Sequence, residues 1–403
     1  MNQRVVVTGV GVCSSLGMDT DTFWTALCAG KSGIRALPDL APSDRPVVGG
    51  AIPDLPPIQF DKPSRHQPDR MIQLAHHAVA EAIQMAQPPL PHDTAVLWGT
   101  GYTTISMIEA CYESWFLHHK LRADTVPVCM PAAVLPHLCT TFDLHGPSTL
   151  ISATCASGLQ AIGICFDLLR SGVTESALAG CSDAPLTTGM YAAWRPLRVL
   201  ASDLSDPAAA CRPFSVNRTG LVMAEGSAAF VMETLDHAQR RGAPIIAEIL
   251  SFNAATASGS IVAPDIEHQE LTLRRAVQRA NIDLDQVDYI NAHATATKLG
   301  DTAETETIKS VFGDLAYRIP ISAIKGATGH AMGASSGLEA LATVLTLKHQ
   351  VIPPTINFTP GDPTCDLDYV ADGARHQAVN IAVKESFGFG GSNAVLVLKR
   401  WHE

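Results

Sequence analysis

Two short sequence segments recur in the same order, roughly 180 residues apart. Residues 156–162 read ASGLQAI and residues 335–341 read SSGLEAL, while residues 226–232 read GSAAFVM and residues 391–397 read GSNAVLV. The two offsets, 179 and 165 residues, are far longer than the period of a solenoid repeat. Matches this short also arise by chance, so the repeat is a hypothesis. If it is real, we expect two similar halves that pack together with a site between them.

Apolar segments of strand length alternate with helical patterns along the chain. Strands are predicted at 4–9, 93–101, 176–180, 224–233, 247–253, 287–292 and 394–399, and helices at 21–29, 71–85, 159–169 and 270–280. This alternation predicts an α/β fold with largely buried strands. Together with the repeat, it predicts an N-terminal half at 1–245 and a C-terminal half at 246–403.

Composition narrows the class of protein further. Only 17% of the 403 residues are charged and 46% are hydrophobic, which excludes a disordered chain. So few charges indicate that much surface is hidden, either within a multilayered fold or beneath a second subunit. The net charge of −11 argues against nucleic-acid binding, which needs a basic face. The apolar runs are shorter than the roughly 18 residues of a membrane-spanning helix, so no membrane span is expected.

The cysteine pattern predicts a cytoplasmic location. Ten cysteines are scattered without a CxxC pair, which supports neither a metal site nor a disulfide framework. Most lie in apolar stretches, as expected for small buried side chains in a reducing compartment. The first apolar stretch is short and ends at Gly9 and Gly11, which is typical of a strand rather than of a signal peptide.

The same two glycines raise the possibility of a dinucleotide site. Residues 5–17 read VVVTGVGVCSSLG, a strand followed by GxG. Ser14 occupies the place of the third glycine, and no acidic residue closes a clear second strand. A tight turn after the strand explains the glycines equally well, so a nucleotide-dependent oxidoreductase is only an alternative.

Cys155 is the candidate nucleophile. It lies in the small-residue segment SATCASG at 152–158, just before the predicted helix at 159–169. A thiol at a helix N-terminus feels the positive end of the helix dipole, which favours the thiolate. The alternative is a buried structural cysteine like the other nine.

Two histidines and one lysine lie in further small-residue segments. His293 follows a predicted strand in NAHATAT (291–297), and Lys325 and His330 lie in SAIKGATGH (322–330). Strand ends that face a crevice are where sites form in α/β proteins. If the repeat is real, His330 precedes a helix in the second half that is equivalent to the helix after Cys155 in the first half. The two helices would then bring a nucleophile and a base together. A satisfied buried histidine is the alternative for each.

A glycine-rich loop, SFGFGGSN at 386–393, precedes the last strand. Its glycines free backbone N–H groups to point at a ligand. The loop lacks the Lys-Ser/Thr ending of a phosphate-binding loop, so an oxyanion hole is the better interpretation beside a cysteine and two histidines.

Together these motifs resemble those of the β-ketoacyl-[acyl carrier protein] synthases of the thiolase-like superfamily. The resemblance spans essentially the whole chain. It depends on ATCASG (153–158), CRPFSVNRTGLVMAEG (211–226), NAHATATKLGD (291–301), KGATGH (325–330) and SFGFGGSN (386–393). It implies an α/β fold of the thiolase-like type, a duplicated five-layer α/β/α/β/α sandwich. It also implies an acyltransferase that works in fatty-acid or type II polyketide chain elongation.

The resemblance assigns roles to the candidate residues. Cys155 would accept the acyl chain from the phosphopantetheine thioester of an acyl carrier protein. His293 and His330 would donate hydrogen bonds to the carbonyl of the extender thioester and assist its decarboxylation. The backbone N–H groups of Cys155 and Phe389 would form the oxyanion hole, and Phe389 would gate the acyl pocket.

Further roles follow from the same resemblance. Lys325 would set the electrostatics of the site, with Asp301 and Glu304 nearby. Ile108 would limit acyl-chain length, in a segment (106–117) that resembles the dimer interface of the family. No cofactor is expected besides the carrier's own arm. Four arginines resemble docking residues for an acidic carrier, although each could equally be a solvated surface charge: Arg65, Arg70, Arg122 and Arg198.

The chain departs from the family pattern at several positions. Ala294 stands where glycine is usual, Ala296 stands where glycine or serine is common, and Ser215 replaces a common aspartate. The loop GTGYTT (99–104) has threonines where glycines are usual. These changes put a housekeeping role in fatty-acid elongation in doubt. The rival is a specialised polyketide or aryl-polyene ketosynthase that pairs with a chain-length-factor subunit instead of forming a homodimer.

Two other functions have to be considered. A degradative thiolase would need a second catalytic cysteine near the C-terminal motif, where this chain has Phe387 and Phe389 and its late Cys365 lies outside. A non-enzymatic partner subunit would not need an intact Cys155.

Overall fold

The computed structural model of the chain describes residues 3–40, 46–59 and 67–402. Within them the strands are β1 (Val5–Cys13), β2 (Arg35–Ala36), β3 (Val48–Gly49), β4 (Ala95–Gly99), β5 (Ser148–Ile151), β6 (Ser176–Asp183), β7 (Gly226–Thr234), β8 (Ala247–Thr256), β9 (Tyr289–Asn291), β10 (Ile321–Ser322), β11 (Val351–Ile352), β12 (Arg375–His376), β13 (Ile381–Gly388) and β14 (Ser392–Arg400). The helices are α1 (Thr20–Cys28), α2 (Arg70–Met85), α3 (Ile105–His118), α4 (Thr125–Cys129), α5 (Val134–Thr141), α6 (Ser157–Arg170), α7 (Thr188–Trp194), α8 (Leu235–Arg240), α9 (Ile266–Ala280), α10 (Lys298–Phe312), α11 (Lys325–Thr328) and α12 (Ser335–His349).

Ten strands form one sheet that consists of two equivalent halves. Its order is β10-β9-β13-β14-β8-β1-β7-β6-β4-β5. The halves meet where β1 and β8 pair in antiparallel fashion. In the first half β1 and β6 flank β7 in antiparallel pairs, and β4 pairs in parallel with β6 and β5. In the second half β8 and β13 flank β14, and β9 pairs in parallel with β13 and β10. This repeated topology confirms the duplication.

Two helices fill the space between the half-sheets. α6 packs on β4 and β6 of the first half and on β8 of the second, while α12 packs on β7 and on β13. The outer face of the first half is covered by α2, and that of the second by α9, against which α10 packs. The layers therefore alternate α/β/α/β/α, and the predicted duplicated five-layer sandwich is confirmed.

The glycines of the repeated segments mark where the two middle helices cross. A Cβ atom at Gly158 would lie 3.0 Å from the backbone nitrogen of Gly337 and 2.8 Å from Cys181 Sγ. A Cβ atom at Gly337 would lie only 2.2 Å from the same sulfur. Beside the crossing, the backbone N–H of Leu159 donates to Ser336 Oγ at 3.0 Å. The repeat persists in the sequence because both helices need a small residue at this crossing.

The glycines of β1 serve packing rather than nucleotide binding. A Cβ atom at Gly9 would lie 2.1 Å from the carbonyl oxygen of Ala82, and one at Gly11 would lie 2.0 Å from that of Ala78. Both carbonyls belong to α2, so these glycines let the helix lie directly on the strand. The GxG pattern therefore has a structural cause, and the dinucleotide hypothesis loses its sequence basis.

One part of the surface is markedly apolar. Helices α3 and α4 and the turn between them expose large side chains: Tyr112, Trp115, Phe116, Leu117, Leu121, Val126 and Met130. Soluble monomers seldom expose apolar patches of this size. In the part of the chain that the structure describes, no helix is both long and apolar enough to cross a bilayer.

Candidate active site

Cys155 lies in a strained turn between β5 and α6, at the start of a buried helix. Its neighbour Thr154 adopts a left-handed conformation, with φ of 51°, which is costly for a β-branched residue. Contacts on both sides hold this conformation. Thr154 Oγ1 donates to the carbonyl oxygen of Phe389 at 2.9 Å, and Ser157 Oγ donates to the carbonyl of Thr154 at 2.6 Å. The turn fixes the thiol at the end of the helix and next to the glycine-rich loop.

His330 is the direct partner of this thiol. Cys155 Sγ lies 3.1 Å from His330 Nε2, although the two residues are 175 positions apart in the chain. The other ring nitrogen, Nδ1, lies 2.8 Å from Ser335 Oγ at the start of α12. When Nδ1 donates to Ser335, Nε2 is free to accept the thiol proton. The duplication thus sets a nucleophile and a base before two equivalent helices, as the repeat predicted.

His293 reaches the same place from the end of β9. Its ring lies 5.7 Å from that of His330, centroid to centroid, at an interplanar angle of 84°. Glu304 on α10 orients the loop, because its carboxylate accepts the backbone N–H of His293 at 2.5 Å and that of Ala294 at 2.7 Å. Ala294 and Ala296 both have positive φ, at 28° and 62°. This conformation explains why glycine would be easier at these two positions.

A buried ionic network lies behind His293. Lys325 Nζ is 3.3 Å from His293 Nδ1, and it also donates to the carbonyl oxygen of His293 and to Glu339. The second carboxylate oxygen of Glu339 lies 2.8 Å from the ammonium nitrogen of Lys384 on β13. Lys325, Glu339 and Lys384 are all at most 1% exposed. Because the Lys325 ammonium group lies against Nδ1 of His293, Nε2 is the ring nitrogen that remains available to the cavity.

Burial sets the protonation states of the thiol and the imidazoles. It raises the pKa of Cys155 to about 11, although Lys325 and a hydrogen bond from the Phe389 N–H partly oppose it. The helix-dipole argument favoured a thiolate, so in the resting site burial outweighs the dipole. Burial, with the charges of Lys325 and Lys384, holds the pKa values of His293 and His330 well below their usual range. The resting site therefore holds a neutral thiol beside two neutral imidazoles.

This protonation state predicts slow alkylation of the resting enzyme. With a pKa of about 11, Cys155 carries about a hundredfold less thiolate at pH 7.5 than a thiol of ordinary pKa. We expect its iodoacetamide reaction, followed by mass spectrometry, to be slower than that of glutathione by a similar factor and to accelerate steadily above pH 9. A rate that levels off near pH 8 would contradict this and would indicate a thiolate held by the helix terminus.

A cavity of about 410 Å³ opens onto these groups. Cys155, His293 and His330 line its floor, and Thr295, Thr297 and Lys298 line one wall. Cys155 Sγ and ring nitrogens of both histidines lie within 4.8 Å of one another, close enough to bind a soft metal ion. The ammonium group of Lys325 beside His293 disfavours a cation there, so the geometry suits thiol chemistry better.

The position of Phe389, the predicted gate of the acyl pocket, depends on a residue that the sequence reasoning missed. Phe389 stacks on Trp194, with ring centroids 5.9 Å apart. Trp194 Nε1 donates to the hydroxyl oxygen of Tyr102 at 2.9 Å. Buried Asp183 anchors the Tyr102 loop by accepting the N–H groups of Gly101 and Tyr102. A continuous set of contacts therefore holds Phe389 in this position.

Of the two acidic residues expected near Lys325, Glu304 lies close enough for the charge of the lysine to lower its pKa against the effect of burial. Glu304 accepts the backbone N–H groups described above. Asp301 accepts the N–H of Phe214 at 2.7 Å and lies 3.8 Å from Arg218. The carboxylate that pairs with Lys325 is Glu339, because α12, and not α10, passes beneath the lysine. A signal was present, since Glu339 is an acidic residue inside an apolar helix and belongs to the repeated segment SSGLEAL.

The predicted docking arginines have different surroundings. Arg198 is exposed and lines the cavity. Arg122 pairs with Asp124 at 2.6 Å. Arg70 is bound to buried Glu225 at 2.6 Å, so most of its charge is used within the fold. Arg65 lies outside the described residues. Ile108 on α3 is half-buried and is not among the residues that line the cavity.

The site also separates this chain from a thiolase. Cys365 is buried beneath α10 against Thr305 and does not line the cavity that holds Cys155. The second thiol that thiolase chemistry would require is therefore missing from this cavity. A thiol paired with a base, a flanking N–H donor and a second neutral imidazole define an acyltransferase site.

Comparison with known proteins identifies the family. The chain matches the family model "Beta-ketoacyl synthase, N-terminal domain" over residues 2–238 and "Beta-ketoacyl synthase, C-terminal domain" over residues 245–359. The chain belongs to the β-ketoacyl synthase family, as its motifs predicted. It is therefore a condensing enzyme of the acyltransferase class.

Two relatives match this chain over almost their whole length. Nodulation protein E of Rhizobium sp. (strain N33) is 36% identical over 407 residues, 99% of this chain and 100% of that protein. The 3-oxoacyl-[acyl-carrier-protein] synthase 2 of Coxiella burnetii (strain RSA 493 / Nine Mile phase I) is 33% identical over 414 residues, 99% of each chain.

Solved structures share the whole fold. One, of AntDE:AntF, is described as a type II PKS acyl-carrier protein in complex with its ketosynthase bound to the hexaketide; it has a TM-score of 0.91, 27% identity and full coverage of both chains. The ishigamide ketosynthase/chain length factor also has a TM-score of 0.91, with 29% identity and full coverage of both chains. These likenesses confirm the thiolase-like ketosynthase fold.

Proposed function

We propose that this chain elongates acyl groups delivered by an acyl carrier protein, with Cys155 as the acyl acceptor. The observation that carries the proposal is the 3.1 Å contact between Cys155 Sγ and His330 Nε2 at the floor of the cavity. In the first step His330 Nε2 takes the thiol proton while the sulfur attacks the acyl thioester. The proton then passes to the carrier thiolate that leaves, and the acyl group stays on Cys155.

The second step uses the two imidazoles. The bond between the carboxylate and the α-carbon of a malonyl thioester breaks, carbon dioxide leaves, and the electron pair forms an enolate. The Nε2–H of His293 can donate to the enolate oxygen, and the Nε2–H of His330 can do so in the neutral tautomer whose Nδ1 accepts the hydroxyl hydrogen of Ser335. Lys325 holds His293 in this tautomer through its contact with Nδ1.

The last step forms the carbon–carbon bond. The enolate carbon attacks the carbonyl of the Cys155 thioester, and the resulting oxyanion accepts N–H groups from Cys155 and Phe389. Collapse of this intermediate releases the Cys155 sulfur as a thiolate, which takes a proton from water, and leaves a β-ketoacyl group on the carrier. The N-terminal half (1–245) would thus supply the nucleophile and the C-terminal half (246–403) the histidines.

The carrier's phosphopantetheine arm accounts for the shape of the site. The cavity wall of Thr295, Thr297 and Lys298 offers hydroxyl and ammonium groups to a polar arm. Exposed Arg198 beside it fits an acidic carrier surface. A protein of net charge −11 must bind such a carrier through local charges rather than through its overall field. The cytoplasmic location stays a prediction from the cysteine pattern.

The apolar face of α3 and α4 favours a dimer in which a second subunit covers it. The partner would be a second copy of this chain in fatty-acid synthesis, or a chain-length-factor subunit in a specialised polyketide or aryl-polyene pathway. A structural relative, the ishigamide protein, is described as the second kind of pair. Native mass spectrometry of the purified chain, with co-purification from its host, distinguishes these two assemblies.

The proposal is tested by product formation. Purified enzyme, an acyl-carrier donor and malonyl-carrier are expected to give carbon dioxide and a β-ketoacyl-carrier product in equal amounts. With the donor alone, intact-protein mass spectrometry and peptide mapping are expected to find the acyl group on Cys155. An acyl group on another residue, or decarboxylation without product when both substrates are present, would refute these assignments.

A further inference from the structure

Lys384 is a buried charge that the reaction described above does not use. It lies in the middle of β13, is fully buried and pairs in register with Asn291 of β9, two residues before His293. Its ammonium group lies 2.8 Å from Glu339 Oε2, donates to the carbonyl oxygen of Glu385 and lies 3.5 Å from that of Ala292. Of these groups, Ala292 immediately precedes His293 in the chain.

The fold itself gives no reason for a charge at this position. Burial of an ammonium ion costs several kcal/mol, and its attraction to a carboxylate seldom returns a surplus. Glu339 already has Lys325 as a partner, so its negative charge would stay compensated without Lys384. An unbranched apolar side chain of similar length would fill the same space between β13 and α12. The stability of the fold therefore does not explain why the ammonium group of Lys384 is buried here, and a role in function does.

The second lysine changes what Glu339 can do. With Lys325 on one carboxylate oxygen and Lys384 on the other, the group is held at both ends. A carboxylate with one partner could turn about its last side-chain bond, because that torsion has a broad energy minimum. Turning would carry Lys325 away from His293 Nδ1. Lys384 therefore restrains the position of Lys325 through Glu339.

The extra positive charge also acts on the two histidines. The fields of Lys325 and Lys384 both lower the pKa values of His293 and His330. Charged and titratable groups face this pair from every surrounding element: Lys325 on α11, Glu339 on α12, Lys384 and Glu385 on β13, Glu304 on α10 and Cys155 before α6. Burial raises the pKa values of Glu304 and Glu385, which weakens the opposing negative charge.

We propose that Lys384 is a positioning residue of the condensation reaction, which fixes Lys325 through Glu339 and keeps His293 and His330 in their neutral forms. This inference depends on the proposed function, since neutral imidazoles matter for accepting the thiol proton and for donating to the enolate. Loss of the charge would let the histidines take up protons at higher pH. The acid side of the pH profile should therefore move upward when Lys384 is neutralised.

The test is the pH dependence of kcat/KM for condensation in Lys384→Met and Lys384→Gln. We expect the acid limb of both variants to move up by about one pH unit, so that kcat/KM falls by up to about tenfold at pH values on the wild-type acid limb and is unchanged at pH 8. KM for the carrier substrate should not change, and Lys384→Arg should restore the wild-type profile. Lys399→Met, at an exposed position on the neighbouring strand β14, is the matched control and should behave as wild type.

The possible outcomes are distinct. A wild-type enzyme without condensing activity refutes the proposed function itself. If wild type and Lys399→Met are active and the acid limb does not move in the Lys384 variants, only the role of Lys384 is refuted. An equal loss at every pH, or failure of both neutral variants to fold by circular dichroism, would assign Lys384 to structure and overturn the inference.

Discussion

Replacement of Cys155 by alanine is expected to abolish condensation, with a loss of 10⁴-fold or more. The acyl group then has no acceptor, because Cys181, Cys165 and Cys211 are fully buried and do not line the cavity. The measurement is β-ketoacyl product from acyl-carrier and malonyl-carrier, with the acyl adduct followed by intact-protein mass spectrometry. Residual condensation above about one part in a thousand would show that another group accepts the acyl chain.

The same variant separates the two chemical steps. His293 and His330 remain in Cys155→Ala, so decarboxylation of malonyl-carrier should continue while condensation stops. Cys28→Ala removes a half-buried thiol on α1 away from the cavity and should retain wild-type activity. Loss of both steps in Cys155→Ala would mean that the histidines depend on the thiol for their arrangement. A non-enzymatic partner subunit would show neither step in wild type.

Local patterns were sufficient to predict the framework of the site. Cys155, His293, Lys325 and His330 each lie among small residues at the end of a strand or the start of a helix. Such positions are visible in sequence because they combine a reactive group with neighbours that leave space for a substrate. The repeat added the further expectation that the thiol and His330 meet, and they are in contact.

What the sequence could not predict depends on how elements stack in three dimensions. Asp301 and Glu304 were expected near Lys325, and Glu304 does lie close to it, but the carboxylate that pairs with the lysine is Glu339, which α12 brings beneath it. The thiolate expected for Cys155 depended on a helix dipole, while desolvation depends on the whole sandwich around it. The contact between Trp194 at the end of α7 and Phe389 in the glycine-rich loop joins residues far apart in the chain, so no short motif encodes it.

Destabilisation is expected when Gly337 is changed to alanine. The new Cβ atom would lie 2.2 Å from Cys181 Sγ, inside the crossing of α6 and α12. Gly337→Ala should therefore cost about 3 kcal/mol of stability, more than the gain of up to 1 kcal/mol from better helix propensity. The measurement is the midpoint of chemical denaturation. Gly259→Ala, where a Cβ atom meets nothing within 4 Å, is the control and should change stability by less than about 0.5 kcal/mol.

A double variant tests whether the clash is the cause. Cys181→Ala removes the sulfur, after which the nearest atom to a Cβ at residue 337 is Ala228 Cβ at 3.4 Å. Cys181→Ala alone should cost about 1 kcal/mol of stability, because it leaves a small cavity. In the double variant the methyl group of Ala at residue 337 would fill that cavity. Gly337→Ala with Cys181→Ala should thus be more stable than Gly337→Ala alone, with a coupling energy of about 2 kcal/mol. If the stability changes of the two single variants simply add in the double variant, the clash with Cys181 Sγ is not the cause of the destabilisation. The repeated glycine would then need another explanation.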